Sequence, residues 1–455
     1  MNEKFEYQGY WWLPSADEEK VPGILKFDPE DGASLDLLGS LKGLKGVIDP
    51  LEPEIILGLS ADGKLITLQD CGKTSGNLVF GSGFSTSTFV VNTIFVGEHF
   101  DQAEDLGFER LVVEYLHLEA WAHESGFDIS FNEEIEEPKR RWREIRHDLP
   151  ESFTAAVGGT YEVTLDFGSN FRASQRPFTE VNITQPAELA IRFPEKQPFD
   201  RLSDIVYRLQ HLLSLGTRRS SYPVAVRGYT GIPGEAMPVE VHYRPLGSTG
   251  VPQKRPELHE MLFSLRNLPG GFGPAVARWL DRAEVLDPVY RLYFGTVYNP
   301  QMFLEQRFLN LVQALEAYHR RTMGTADLPE EVHEKRKEEI LEAVPNKHKD
   351  WLEGKLEYSN EPSLGRRLKE IIRRYPEATY PVAGDNSKDR ERFVYKVTAT
   401  RNYRTHFDET LEGQAAQGEE LYRISQKLKQ LLEVCLMAEI GFGGDEIKKA
   451  VMRLR

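Results

Sequence analysis

The period of the hydrophobic pattern changes along the chain. Up to about residue 285, apolar residues come in short runs punctuated by Gly and Pro: PEIILGL, KLITLQD, TFVVNTIFVG, ERLVVEYLHL, GTYEVTLDFGS, EVNITQ, ELAIRF and PVEVHYRPL. Such runs are rich in Val, Ile, Thr and aromatic residues. They predict strands, because these side chains suit a half-buried pleated surface and turn formers bound them. The Asp-Gly pair of SADGKLITL lies between two runs and predicts a hairpin turn. One segment differs. In FDRLSDIVYRLQHLLSLGT (199–217), Leu202, Ile205, Val206, Leu209, Leu212 and Leu213 recur at helical spacing. Residues 1–285 are therefore expected to form a β-rich region with at least one helix, as one or two sandwich-like units.

After about 290 the pattern is helical. In NPQMFLEQRFLNLVQALEAYHRR (299–321), Phe303, Leu304, Phe308, Leu311, Val312 and Leu315 form a wide apolar stripe. PEEVHEKRKEEILEAV begins with acidic side chains and is followed by Pro345, a helix start and stop. Further helices are expected over 362–374, 389–407 and 418–440, the last followed by Gly441, which suits a C-terminal cap. The predicted class is multidomain α+β, with an all-α domain at 290–455 and a boundary near 285–298.

Length supports that division, since 455 residues exceed one compact core. The opening MNEKFEYQGYWW has neither the basic region nor the apolar run of a signal peptide. No stretch reaches the length of a membrane span. The two cysteines, Cys71 and Cys435, lie far apart and suggest no disulfide framework. A cytoplasmic protein without a membrane partner is expected. The net charge of −15 argues at first against a nucleic-acid partner. Residues 301–455, however, hold equal numbers of basic and acidic side chains, so the acidic excess belongs to residues 1–300. The balanced part contains RRLKEIIRR (366–374), where Arg366, Arg367, Arg373 and Arg374 are candidates for a phosphate-attracting face. A solvated helix face accounts for the same residues.

Several signatures of chemistry are missing: no Walker loop, zinc-type cysteine pairs, HExxH or G-x-S-x-G. GSGFS (81–85) reads as a loop, and Trp11-Trp12 reads as buried rather than as a binding platform. TATRNYRTHFDE (398–409) carries more. On a helix, Asn402 and His406 are i,i+4 and share a face, while the long Arg401 side chain can swing toward it. Histidine can serve as general base on a ribose 2′-hydroxyl or general acid on a leaving 5′-oxygen, and an arginine fork can hold the phosphate. The product would be a 2′,3′-cyclic phosphate, with no metal or other cofactor required. Arginine followed by histidine at this range is common, as Arg110 to His117 and Arg141 to His147 demonstrate. On the residues alone, a capped and salt-bridged helix explains RNYRTH slightly better than a site does.

The motif resembles that of the HEPN superfamily, whose ribonucleases carry R-x(4–6)-H, often with a polar residue after the arginine. EQRFLNLVQALEAYHRR is similar to the first long helix of that fold, and 418–440 to the helix after the motif. GYWWLP, VPGILKFDP, LDLLGSL, LGLSADGKLITLQD and FVGEHF are similar to the opening of the ApeA family of HEPN-containing abortive-infection proteins. This resemblance implies a metal-independent endoribonuclease of anti-phage defence, with Arg401, Asn402 and His406 as catalytic residues. It also implies an orienting acid on the earlier helix, for which Glu316 is the candidate. RNA would be the substrate, with Arg404, Tyr403, Arg373 and Arg374 as candidate contacts. A homodimer or higher oligomer with a composite cleft is implied, and residues 1–285 would be a sensor responding to a phage-derived trigger. The alternatives are a non-catalytic HEPN scaffold or nucleotide-binding module, and a β-rich ligand-binding region whose helices only dimerise.

Overall fold

The computed structural model describes residues 3–42, 52–77, 85–133, 141–176, 179–231, 237–248, 253–324, 326–407 and 409–454. The chain divides into two compact units, Met1–Asp281 and Arg282–Arg455.

In the first unit, β1 (Phe5–Trp12), β2 (Val21–Asp28), β3 (Gly32–Leu37), β4 (Ile55–Ser60), β5 (Leu65–Asn77) and β6 (Thr86–Val96) pair antiparallel. Their order is β6-β3-β2-β1-β4-β5, and β5 pairs back on β6, so the strands close into a barrel. Closure leaves no free strand edge within the ring. Leu25, Phe27, Leu35, Leu37, Ile66 and Leu68 fill the core around Trp11. Both Trp11 and Trp12 are buried, as expected. Gly58 is required beside them, because a Cβ there would fall 2.2 Å from the Trp11 ring. The Asp62-Gly63 turn joins β4 to β5, with Gly63 at φ +84°.

β6 belongs to two sheets. Its residues Ser87–Val91 pair with β3, and Thr93–Val96 pair with β16 (Val239–Tyr243). From β16 an open antiparallel sheet continues through β15 (Pro223–Tyr229), β7 (Gly107–Tyr115), β14 (Ala187–Pro198), β11 (Tyr161–Phe167) and β10 (Phe153–Val157). The expected sandwich-like units are thus a barrel continued into an open sheet. Apolar alternation along a strand is the same in both arrangements, so closure could not be read from it. Helix α2 (Phe199–Thr217) buries Leu202, Ile205, Leu209 and Leu213, and the Tyr115 hydroxyl donates to the Val206 carbonyl at 2.9 Å. A short α1 (Leu118–Ala122) and two hairpins, β8 (Phe127–Glu133) with β9 (Arg141–His147) and β12 (Asn170–Ala173) with β13 (Val181–Thr184), complete the unit. Arg110 lies in β7 and Arg141 in β9, so neither shares a helix with its following histidine. Gly81–Phe84 of GSGFS lie outside the described residues.

The division between units falls within α3 (Phe272–Tyr298). This 27-residue helix begins inside the stretch expected to be β-rich, and the division between units lies four residues before the expected end at 285. Pro288 and Gly295 interrupt its sequence pattern, and Ala275, Trp279, Leu286, Val289, Tyr293 and Phe294 are buried on several faces, which erases the amphipathic period. The second unit continues with α4 (Leu304–Thr322), α5 (Glu330–Glu342), α6 (Lys349–Leu356), α7 (Leu364–Arg374), α8 (Pro376–Ala383), α9 (Ser387–His406), α10 (Gly418–Ile440) and α11 (Gly444–Arg453). α4 packs most extensively on α10. Phe308, Leu311, Leu315 and Tyr318 of α4 are buried with Leu421, Leu428, Leu432 and Cys435 of α10. Gly441 caps α10 in the left-handed conformation at φ +107°.

Candidate active site

Helix α9 presents the motif in its last two turns. Asn386 caps its start by accepting the Asp389 amide at 2.9 Å, and Phe393, Val394, Val397 and Thr400 bury its inner face. The Thr400 hydroxyl oxygen accepts the Ala416 amide at 2.9 Å, holding the segment after the motif to the helix.

Arg401 is half-buried. Its Nη1 donates to the Asn402 Oδ1 at 3.2 Å, and its Nη2 lies 3.9 Å from Glu316 Oε2 on α4. The residue after the arginine and the acid of the earlier helix therefore both touch one guanidinium. At 3.9 Å the ion pair is loose and about a third of the Arg401 side chain is open, leaving donors for an anionic ligand. His406, the last residue of α9, is exposed. The helix ends there because Phe407 takes the left-handed conformation at φ +51°, its amide bonded to the Tyr403 carbonyl at 2.6 Å. Phe407 is itself 70% exposed. The arrangement is a guanidinium held from two sides and an imidazole about one and a half helical turns along, at an open helix end.

The remaining candidates separate. Tyr403 is half-buried, 6.1 Å from the Phe407 ring. Arg404 lies 3.8 Å from Glu305 in the first turn of α4, with its guanidinium 5.6 Å from the Tyr403 ring. Glu305 went unnoticed in the sequence, although an acid opening an amphipathic helix is its signal. Arg373 lines a small cavity with Lys369, Tyr380, Ser387 and Arg390 at the opposite end of α9. Sixteen residues separate Arg390 from His406, about 24 Å of helix, so Arg373 and Arg374 are not brought to the motif. Arg374 donates to the Thr322 carbonyl at 3.4 Å.

The basic run also divides. Arg367 is buried, donating to the Pro362 carbonyl at 2.9 Å and to His319 Nδ1 at 3.3 Å, with Glu361 at 3.4 Å. His319, likewise buried, donates from Nε2 to Glu370 Oε2 at 2.7 Å. Arg366 is tied to Asp327 and Glu370, each at 2.9 Å. The Arg366 hydrogen bond, helped by that of His319, holds the Glu370 carboxyl below its usual range against the opposing effect of partial burial. Arg367 is therefore not on a phosphate-attracting face. Its five N–H donors make burial tolerable once enough acceptors surround it.

A barrel-bearing β-rich unit thus precedes a helical unit with R-x4-H at a helix end, and family models assign both. A family model of ApeA N-terminal domain 1 matches residues 6–279, and one of the Apea-like HEPN domain matches 309–446; the chain belongs to the ApeA family. The searches found no curated protein and no solved structure that matches it. Among the described residues, no helix is long and apolar enough to cross a membrane.

Proposed function

We propose that this protein is a metal-independent endoribonuclease of anti-phage defence that acts through Arg401, Asn402 and His406. The observation carrying this reading is the meeting of Arg401 with both Asn402 and Glu316, inside the segment matched by the HEPN family model, with His406 exposed beyond it. Arg401 holds the scissile phosphate and offsets charge that builds on its oxygens. His406 takes the proton of the 2′-hydroxyl as that oxygen attacks phosphorus, or returns one to the departing 5′-oxygen. In an in-line displacement the attacking 2′-oxygen and the departing 5′-oxygen lie on opposite sides of phosphorus, so one imidazole serves only one of them. A second copy of the chain, joined at this helix end, supplies the second histidine, which accords with the composite cleft expected of the family. Glu316 and Asn402 fix the guanidinium, and residues 1–281 act as the sensing part.

The test compares wild type with His406→Ala and Arg401→Ala, in phage-challenged cells and as purified protein with RNA and chelator. Loss of His406 is expected to reduce cleavage by about 10²–10⁴-fold with the oligomer intact. Phage protection that persists in both variants would instead favour a non-catalytic HEPN scaffold.

A further inference from the structure

The open sheet of the first unit carries a second site. Four paired positions line up across it: Glu162 on β11 faces Arg192 on β14, Arg192 faces Arg110 on β7, and Arg110 faces Tyr229 on β15. Residues paired in this way stand on one face of a sheet with side chains in contact range. Beyond Arg192 the strand β14 bulges. Its pairing with β7 resumes only at Gln197, opposite Phe108, so the residues between bow away from the sheet. Phe193 in the bow stacks on Tyr161, with ring centroids 4.7 Å apart and planes 16° off parallel. The resulting cavity, about 420 Å³, is lined by Arg110, Arg192, Glu162, Tyr161, Phe193 and Tyr229 among others. That volume falls in the range of small-molecule sites.

The arginines are the telling feature. Cationic side chains directly opposite each other on neighbouring strands repel, and a sheet built for stability alone avoids them. Further along the same face the usual solution is present: Arg227 is held between Glu114 at 2.8 Å and Glu188 at 2.7 Å. Arg110 and Arg192 have no such partner within 4 Å among the described residues, although Glu162 sits opposite Arg192. The Arg110 guanidinium lies instead over the Tyr229 ring, 5.1 Å from its centroid. Two adjacent guanidiniums in an aromatic cavity fit a ligand with a phosphate and a flat ring. The carboxylate of Glu162 suits hydroxyl or amino donors on the same ligand and disfavours a continuous polyanion. A strand of RNA is therefore a poorer fit than a single nucleotide.

We propose that this cavity binds a nucleotide, its phosphate on Arg110 and Arg192 and its base against the walls formed by Tyr161, Phe193 and Tyr229. The proposal stands whether or not the helical unit cleaves RNA. Its test is calorimetric titration of the full chain with the four ribonucleoside monophosphates and the four triphosphates. At least one is expected to bind saturably. Arg192→Ala and Tyr229→Leu should each weaken it by about tenfold or more, and His406→Ala should bind as wild type does. Arg192 is exposed, so its replacement leaves the fold intact, which thermal melting checks; Arg192→Lys should restore part of the affinity. No saturable binding at about 1 mM, or binding that survives Arg110→Ala/Arg192→Ala, overturns the proposal. Binding lost in His406→Ala would do the same by moving the site to the helical unit.

Discussion

Arg401 shows how a common residue pattern becomes specific. Its Asn402 contact is local, whereas its Glu316 contact joins two helices far apart in the chain. In RNYRTH the helical repeat pairs Asn402 with His406 and only lets Arg401 swing toward them, while Glu316 came only through the resemblance, because no spacing rule links α9 to α4. Glu316 does not reach the substrate in this scheme; it positions the guanidinium. Glu316→Gln keeps a hydrogen-bonding side chain and removes the charge. The expected result is a fall of about tenfold in kcat for RNA cleavage, with KM unchanged or lower because the site becomes more positive. An unchanged kcat would reduce Glu316 to a surface ion pair. The same scale divides RRLKEIIRR, whose candidate phosphate face and solvated face could not be told apart by spacing. Four arginines look alike in sequence, yet Arg367 faces the bundle and Arg373 faces solvent.

At the level of elements, amphipathic helices were readable and uniformly buried ones were not. α2 spans the segment that the apolar spacing marks, and α9 and α10 lie within a residue or two of their expected ranges. α3 was missed because burial on several faces removes the period, and Pro288 and Gly295 imitate loop punctuation. Strand runs were visible, but closure of the barrel depends on β5 meeting β6 and on β6 serving two sheets, which are facts of pairing across distance. α7 permits a test at this scale. It inserts Arg367 between α4 and the Glu361–Pro362 turn through several hydrogen bonds. Arg367→Ala should destabilise the helical unit by about 3 kcal/mol, since it leaves a buried imidazole nitrogen and a carbonyl without their donor. Arg373→Ala, on the exposed face, should stay within about 0.5 kcal/mol. Urea unfolding followed by circular dichroism separates the two, and equal effects would mean that the faces of α7 are misassigned.

For the whole molecule, the two units should respond differently to acid. Burial, and then the nearby Arg208, pushes the pKa of His211 down to about 3. Burial, with the positive N-terminus behind it, lowers His242 to about 4, in a setting where its ring packs on Phe5 and Phe27 at 4.8 and 5.6 Å. Both histidines belong to the first unit. A histidine whose folded pKa lies below its unfolded value of 6.5 binds its proton more readily when unfolded. Its contribution to stability is therefore complete above pH 6.5 and is lost as pH falls toward the folded value, by up to about 1.4 kcal/mol per pH unit for each group. In the helical unit the lowered group is the Glu370 carboxyl, whose contribution holds above its unfolded value of 4.5 and is lost below it, as pH falls through the folded pKa. Between pH 6.5 and 5, acid should weaken the β-rich unit first. Trp11, Trp12, Trp121, Trp142 and Trp279 fall in the first unit and Trp351 in the second, so tryptophan fluorescence reports mainly on the former. Circular dichroism at 222 nm weights the helices. In moderate urea, the fluorescence transition should move to lower denaturant as pH drops from 7 to 5, while the helical transition stays nearly in place. Burial lowers the His117 imidazole in the same unit as well, so replacing His117, His211 and His242 together with glutamine should abolish the fluorescence shift. Coincident movement of both transitions, or a shift that survives all three replacements, would show that these histidines do not govern the acid response and that the units unfold as one.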